Sequence, residues 1–95
     1  MKKIALITGS YGGLGRCFVK LHAEKGGDLI LVGRSSEKLE EQAKEVSKKY
    51  NVTAHTIAVD LSQQDAAQQI YDTCKENGWD VDIIINNAGF GGQGD

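Results

Sequence analysis

One stretch near the amino terminus decides the fold: it runs from Lys3 to Gly15 and reads KIALITGSYGGLG. Its first part, Lys3–Thr8, is a short apolar run typical of a buried strand. Four glycines then follow within seven positions, from Gly9 to Gly15. Glycines allow a tight turn and remove the Cβ atoms that would keep a phosphate group away from the backbone. Placed between a strand and a helix, the loop predicts a diphosphate-binding turn; the alternative is a plain turn that happens to be glycine-rich.

The same alternation of strand and helix continues along the chain. Short aliphatic or β-branched runs predict strands at Lys3–Thr8, Leu29–Val32, Val52–Val59 and Val81–Ile85. Patterns with a period of 3.6 residues separate them, so the order is βαβαβαβ, which is typical of a parallel sheet covered by helices. We predict an α/β fold, a Rossmann-like three-layer sandwich with strand order 3-2-1-4, equivalent to a truncated doubly wound fold.

The three helices are predicted from apolar positions that share one face. The first helix shows this pattern at Leu14, Cys17, Phe18 and Leu21, and Gly26-Gly27 ends it. The second is capped by Ser35 or Ser36 and has its apolar face at Leu39, Ala43, Val46 and Tyr50. The third begins at Ser62 in a capping-box-like sequence, buries Ala66, Ile70 and Cys74, and ends near Asn77-Gly78.

Length and composition exclude several classes of protein. The 95 residues suffice for one domain, 1–95, and we expect the glycine-rich tail 90–95 to be disordered. Eleven Lys and Arg against thirteen Asp and Glu give a net charge of −2, so we expect neither nucleic acid nor membrane as a partner. Cys17 and Cys74 are interpreted as core residues in a reducing compartment, which favours a cytoplasmic protein. His22 and His55 lack partners at metal-ligand spacing, so no metal site is predicted.

The end of the second strand carries a candidate cofactor-specificity residue. Arg34 lies nineteen positions after Gly15, about where a dinucleotide-binding fold reads the ribose 2′ position. An acidic side chain there accepts from a 2′-hydroxyl and favours NAD, whereas arginine suits a 2′-phosphate. We therefore expect NADP(H) to be preferred and NAD(H) to be possible. The alternative is an ordinary surface arginine.

Two further signals follow the third and fourth strands. Asp60-Leu61 has a carboxylate that fits an adenine amino group, although the same carboxylate also suits a helix amino terminus without any ligand. Asn86-Asn87-Ala88-Gly89 has small residues at a strand end, where a flat ligand packs against backbone. Taken alone, this second signal is also an ordinary turn.

Together these residues resemble the short-chain dehydrogenase/reductase family. The resemblance rests on Thr8-Gly9-x-x-x-Gly13-x-Gly15, Asp60 and Asn86-Asn87-Ala88-Gly89, in that order, and covers essentially the whole chain. Because Gly12 is present too, the loop also fits the glycine spacing of the family's extended branch, while the Asn-Asn-Ala-Gly turn favours the shorter branch. The family consists of Rossmann-fold, NAD(P)-dependent oxidoreductases.

The resemblance implies a role for each part of the site. It places Gly9, Ser10, Tyr11, Gly12 and Leu14 along the pyrophosphate and ribose, with Gly13 and Gly15 completing the loop. It gives the 2′-phosphate to Arg34 and Ser35, the adenine to Asp60 and Leu61, and the adenine-side ribose to Asn87, Ala88 and Gly89. Asn86 would brace the fourth strand.

The family's catalytic residues lie beyond the matched motifs. They are a Tyr with a Lys four residues later and a Ser upstream, all after the Asn-Asn-Ala-Gly turn, and this sequence ends six residues after Gly89. Tyr71 and Lys75 have the spacing but lie in the third predicted helix, so we interpret them as structural. We expect the 95-residue chain to be inactive alone, and to form a dimer or to await a missing carboxyl-terminal half. The alternative is a non-catalytic nucleotide-binding or oligomerising module.

Overall fold

The structure is a computed structural model, and it describes residues 3–86. Asn87, Ala88, Gly89 and the tail 90–95 lie outside the described residues. The elements are β1 (Ile4–Thr8), α1 (Gly13–Glu24), β2 (Asp28–Gly33), α2 (Ser36–Tyr50), β3 (Ala54–Ala58), α3 (Ala66–Asn77) and β4 (Val81–Asn86). The predicted alternation of strands and helices is confirmed.

The four strands form one parallel sheet in the predicted order β3-β2-β1-β4. Thr8 at the end of β1 lies opposite Val32 of β2 and Asn86 of β4, and Gly33 lies opposite Ala58 of β3. The carboxyl ends of all four strands therefore meet at one edge of the sheet. In an open α/β sheet, ligands bind at this edge.

The sheet is covered on both faces, as the handedness of its crossovers requires. On one face, α1 and α2 pack against β1 and β2 around a core cluster that includes Ile7, Leu29, Leu31 and Leu39. On the other face, α3 packs through Ala66 and Cys74 against Leu6, Ile30, Val32 and Ile57. Alternate residues of β1 and β2 thus enter different cores, which gives the predicted three layers.

The ends of the helices follow the local sequence. The Ser35 hydroxyl accepts a hydrogen bond from the Lys38 N–H at 3.3 Å and caps α2, as predicted. Gly26 and Gly78 have φ of 83° and 69°, and both glycines follow the last turn of a helix. An L side chain is disfavoured in this left-handed conformation, so glycine ends α1 and α3 where the sequence predicted.

The predicted buried face of α1 is correct at Phe18, which is half-buried against the core cluster, and wrong at its other three positions. Leu14 and Leu21 are 66% and 54% exposed, and Cys17 is exposed, so the expectation that Cys17 is a core residue fails as well. The face on the sheet instead contains Gly15, Val19 and Ala23. Small side chains bring the helix axis close to the strands, whereas the exposed Leu14 and Leu21 lie away from the sheet.

The predicted start of α3 is also wrong. The helix begins at Ala66 instead of near Ser62, and Asp65 at its N-cap makes no side-chain capping bond within the described chain. Ser62 is bound to Asp60, which keeps residues 61–65 in turns. Local side-chain hydrogen bonds of this kind compete with helix formation.

Candidate functional site

The glycine loop turns sharply where β1 ends. Gly9 has φ of 64°, and its N–H donates to the Val32 carbonyl at 2.9 Å, which ties the turn to β2. The Gly9 carbonyl in turn accepts from the Gly12 N–H at 3.1 Å. A Cβ on Gly15 would overlap the Gly9 carbonyl group. Gly9 and Gly15 are therefore required by the loop itself, with or without a ligand.

Gly12 and Gly13 have a different environment. A Cβ on Gly13 would have no heavy atom within 4 Å, and one on Gly12 would meet the Gly9 carbonyl oxygen only at an ordinary 3.5 Å. Among residues 3–86, no side chain caps α1, and its first turn contains no acidic residue. The first N–H groups of the helix have no intrahelical acceptors and carry the positive end of the helix dipole. The opening over Gly13 therefore suits an anion that approaches the backbone.

Ser10 faces away from this opening. The residue is fully buried, and its hydroxyl donates to Gln42 Oε1 at 2.9 Å. Gln42 Nε2 donates back to the Ser10 carbonyl at 2.8 Å. Both the hydroxyl and the carbonyl of Ser10 are thus occupied inside the protein, and the buried residue supports the loop from within instead of contacting the pyrophosphate or ribose as expected.

Tyr11 connects the glycine loop with the end of β2. Its ring lies against Gly33, where an added Cβ would come within 2.7 Å of the ring. Its hydroxyl accepts from the Ser35 N–H at 3.3 Å, and the Lys38 ammonium lies 5.5 Å from the ring centroid. The phenol therefore holds the two predicted parts of the site, the loop and the β2 end, at a fixed separation.

Arg34 and Asp60 lie on neighbouring strand ends. The Val59 N–H donates to the Gly33 carbonyl at 2.8 Å, which brings the two segments together. Arg34 is exposed, and none of the hydrogen bonds or ion pairs within residues 3–86 involves its guanidinium. Hydrogen bonds from the Ser62 hydroxyl and N–H, at 2.7 and 3.0 Å, lower the pKa of Asp60 below its ordinary 3.8, and the charge of Arg34 adds to this effect. Asp60 is therefore an ionised acceptor near the exposed Arg34 cation.

The other residues predicted around the site are Asn86, Leu61 and Asn87-Ala88-Gly89, and they have different environments. The Thr8 hydroxyl donates to Asn86 Oδ1 at 3.1 Å, so Asn86 braces the ends of β1 and β4, as expected. Leu61 is half-buried and packs against the core cluster under α3. Asn87, Ala88 and Gly89 lie outside the described residues, and their assignment to a ribose stays a prediction.

Sequence reasoning missed Gln42. Its position was visible, since Gln42 lies three residues after Leu39 and four before Val46 on the buried face of α2. A polar residue between two core positions signals a buried hydrogen-bond partner, but the sequence does not identify that partner.

A family model described as short chain dehydrogenase matches residues 3–95. The chain belongs to this family. It is 34% identical over 88 residues to a very-long-chain 3-oxoacyl-CoA reductase of Bos taurus and 39% identical over 90 residues to sulfoacetaldehyde reductase 2 of Chromohalobacter salexigens. Among solved structures, L-sorbose reductase from Gluconobacter frateurii in complex with NADPH and L-sorbose superposes with a TM-score of 0.86 and 30% identity.

These matches cover most of this chain but a minor part of each relative. They include 90% and 95% of this chain, and 27% and 35% of the bovine and bacterial reductases. The sorbose reductase match covers 99% of this chain and 36% of that protein. None of the helices formed by residues 3–86 combines the length and apolar character that crossing a bilayer requires.

Proposed function

We propose that this chain binds NADP(H) in preference to NAD(H), as the cofactor-binding portion of an oxidoreductase acting on carbonyl or alcohol substrates. The observation that carries the proposal is the uncapped amino terminus of α1, which opens to solvent over a glycine that packing does not require. Membership of the short-chain dehydrogenase family supports it, as does the likeness to a reductase whose structure contains NADPH. A bound dinucleotide would supply hydride chemistry, while the protein supplies binding and orientation.

Each predicted residue then has a role in binding. Because the Gly12 N–H is bonded to the Gly9 carbonyl, the N–H groups at Gly13 and Leu14 would hold the diphosphate and the Gly12 backbone would line it. Gly9 and Gly15 keep the loop closed under it. The Arg34 guanidinium and Ser35 would bind the 2′-phosphate through charge-assisted hydrogen bonds. In the remaining positions, Ser10 would support the loop from within, Tyr11 would separate the two subsites, Asp60 and Leu61 would contact adenine, and Asn87, Ala88 and Gly89 would contact the adenine-side ribose.

We assign no catalytic residue to this chain and propose that it reduces no carbonyl compound alone. Tyr71 and Lys75 do not change this assignment. Tyr71 is 59% exposed on α3, and the Lys75 ammonium lies 5.8 Å from its ring centroid. The pair lies on the helix that follows β3, away from the glycine loop, which supports a structural role.

Binding titrations with NADPH and NADH test the cofactor proposal, and Arg34→Asp is the informative variant. The wild-type chain should bind NADPH more tightly than NADH, and Arg34→Asp should abolish or reverse that preference. A hydrogen bond to a charged group contributes about 1.5–3 kcal/mol, so we expect NADPH affinity to fall at least about tenfold. NADH affinity should change little. Isothermal titration calorimetry at one fixed salt concentration measures both.

Lys25→Asp is the matched control, because it makes the same charge change at the other end of α1, close to the start of β2. It should leave both affinities unchanged, since exposed charges more than about 10 Å apart are largely screened at 0.1 M salt. Equal affinity of the wild-type chain for NADPH and NADH would reduce Arg34 to a surface charge. No binding of either cofactor would refute the proposed function.

The open edge of β4 favours a second candidate function, an oligomerising module. Within residues 3–86, β4 pairs with β1 on one side only, and Ile83 and Ile84 are 36% and 70% exposed. An exposed apolar edge strand promotes association. We propose that either a second copy of the chain or further polypeptide covers it. Light scattering over a range of concentrations separates the two, since a monomer at high concentration would exclude the second copy.

The environments of the two cysteines are relevant to the cellular location of the protein. Cys17 and Cys74 are free thiols, the first exposed and the second buried. Burial raises the pKa of the Cys74 thiol, which keeps it protonated and unreactive. An exposed free thiol persists in reducing compartments. On that basis, we propose a cytoplasmic location.

A further inference from the structure

Gln42 differs from its neighbours on α2. Glu40, Glu41 and Lys44 are exposed, whereas Gln42 is only 8% exposed and points its amide at the glycine loop. The amide both donates to the Ser10 carbonyl and accepts from the Ser10 hydroxyl, at 2.8 and 2.9 Å. No buried side-chain N or O atom within residues 3–86 is left without a partner. The two bonds fix both the position and the direction of Ser10.

The contact between Gln42 and Ser10 restrains the glycine loop, the part of the candidate site whose backbone has the most conformational freedom. Glycine has more backbone conformations to lose on ordering than any other residue, so a loop with four glycines needs an external restraint. Ser10 is the residue between Gly9, which makes the turn, and Tyr11, which reaches Ser35. A leucine at position 42 would fill the volume but could not hold a backbone carbonyl in one direction.

We propose that Gln42 is a positioning residue that holds the glycine loop in the conformation that binds diphosphate. The inference rests on the proposed dinucleotide binding and adds a residue that touches no ligand. A loop that is only partly populated in its binding-competent form lowers the apparent affinity by that fraction. Gln42 would therefore act on affinity through Ser10 and the loop backbone.

The first test compares two ligands in the Gln42→Leu variant. NADP⁺ places a diphosphate on the loop, whereas 2′-AMP carries only the adenosine and the 2′-phosphate that Arg34 would bind. We expect the variant to bind NADP⁺ about tenfold more weakly, while 2′-AMP affinity changes less than about twofold. Equal losses for both ligands, or no loss for either, would overturn the proposal.

The second test uses pH with Gln42→Glu. An ionised carboxylate cannot donate to the Ser10 carbonyl, but a protonated carboxyl both donates and accepts, as the amide does. The ratio of wild-type to variant NADP⁺ affinity should therefore be large at pH 8 and shrink towards pH 5. Arg16, Lys38, Glu41 and Glu45 border the same 420 Å³ cavity as Gln42, and the wild-type chain at each pH corrects for their charges and for the ligand's phosphate.

Val46→Ala is the matched control for stability, because Val46 lies one helical turn away on the same buried face of α2. It should lower the melting temperature without changing the ratio of NADP⁺ to 2′-AMP affinity. Hydrogen exchange of the Gly9, Gly12 and Gly13 amides without ligand gives a readout that does not need binding. Faster exchange there in Gln42→Leu, and not in Val46→Ala, supports the proposal; unchanged exchange overturns it. If the wild-type chain binds no dinucleotide, the proposed function fails and this exchange measurement alone decides.

Discussion

The two halves of the sheet differ in how completely they are covered. Around β1 and β2, the side chains of Ile7, Leu29 and Leu31 are fully buried beneath α1 and α2. At β4, by contrast, Ile84 is 70% exposed and a cavity of about 710 Å³ lies between that strand and α3. The glycine loop follows β1 and rests on the covered half. The conformation of the candidate site therefore depends on the part of the molecule that is packed.

The open half of the sheet, around β4, has side chains typical of a protein interior. Ile84 is an aliphatic residue of β4 that faces the cavity, together with Leu6, Ile70 and Trp79. A parallel strand flanked on both faces has a continuous aliphatic run, and β4 has such a run at residues 83–85. The relatives extend well beyond the region matched here. The conformation of the candidate site and the closure of the sheet therefore depend on separate groups of residues.

The largest effect should come from removing a side chain in the covered half. Leu31→Ala leaves a cavity in a fully buried site and should lower the free energy of unfolding by about 2–5 kcal/mol. Ile84→Ala removes a side chain of similar size from an exposed position and should change it by less than about 0.5 kcal/mol. Urea unfolding of both variants measures the contrast. A large effect of Ile84→Ala would mean that the edge is covered in solution.

The next prediction compares Gly15, which packs against the loop, with Gly13, which lies at its opening. Gly15→Ala forces a methyl group into the Gly9 carbonyl and should destabilise the chain by about 1–3 kcal/mol while abolishing NADPH binding. Gly13→Ala meets no protein atom and has better helix propensity, so stability should stay equal or rise. Its methyl group should nevertheless weaken NADPH binding. Thermal melts measure the stability of both variants, and calorimetric titrations measure their NADPH affinity. Normal NADPH binding by Gly13→Ala would contradict the prediction.

The smallest effect concerns the far edge of the open face, where His55 stacks on Trp79 with ring centroids 4.1 Å apart. Loss of water around the ring lowers the pKa of His55 below its ordinary 6.5, and the charge of Asp28 opposes this more weakly. As the pH falls, His55 therefore takes up a proton in the unfolded chain at a higher pH than in the folded chain. Relative to His55→Gln, the wild-type chain should lose stability as the pH falls from above 6.5 through the folded-state pKa. Unfolding followed by Trp79 fluorescence measures this, and parallel pH profiles would contradict it.

The sequence predicted the elements more accurately than the faces they bury. In α1, two apolar stripes were available, one through Leu14 and Leu21 and one through Val19 and Ala23. Hydrophobic periodicity favoured the bulkier stripe. The fold buries the smaller one because Gly15 must lie directly on Gly9, and this contact rotates the helix. Periodicity detects a helix but contains no information about such a contact.

For the candidate site too, the sequence predicted the positions of residues better than their side-chain contacts. The glycine loop, Arg34 and Asp60 were placed on their strand ends correctly, because parallel strands bring their carboxyl ends to one edge. The sequence did not show that Ser10 turns inward or that Tyr11 reaches Ser35. Both contacts join residues more than twenty positions apart, so they depend on how α2 lies against the loop.

The amino-acid sequence is sufficient to predict the order of strands and helices, the parallel sheet and the position of the glycine loop. These follow from local patterns, since each depends on residues close together in the chain and on the handedness of the crossovers. By contrast, the packed chain was needed to show which stripe of α1 is buried and which side chains support the loop. Those outcomes depend on close packing between distant segments, where a single backbone contact or buried hydrogen bond selects among faces that the sequence leaves equivalent.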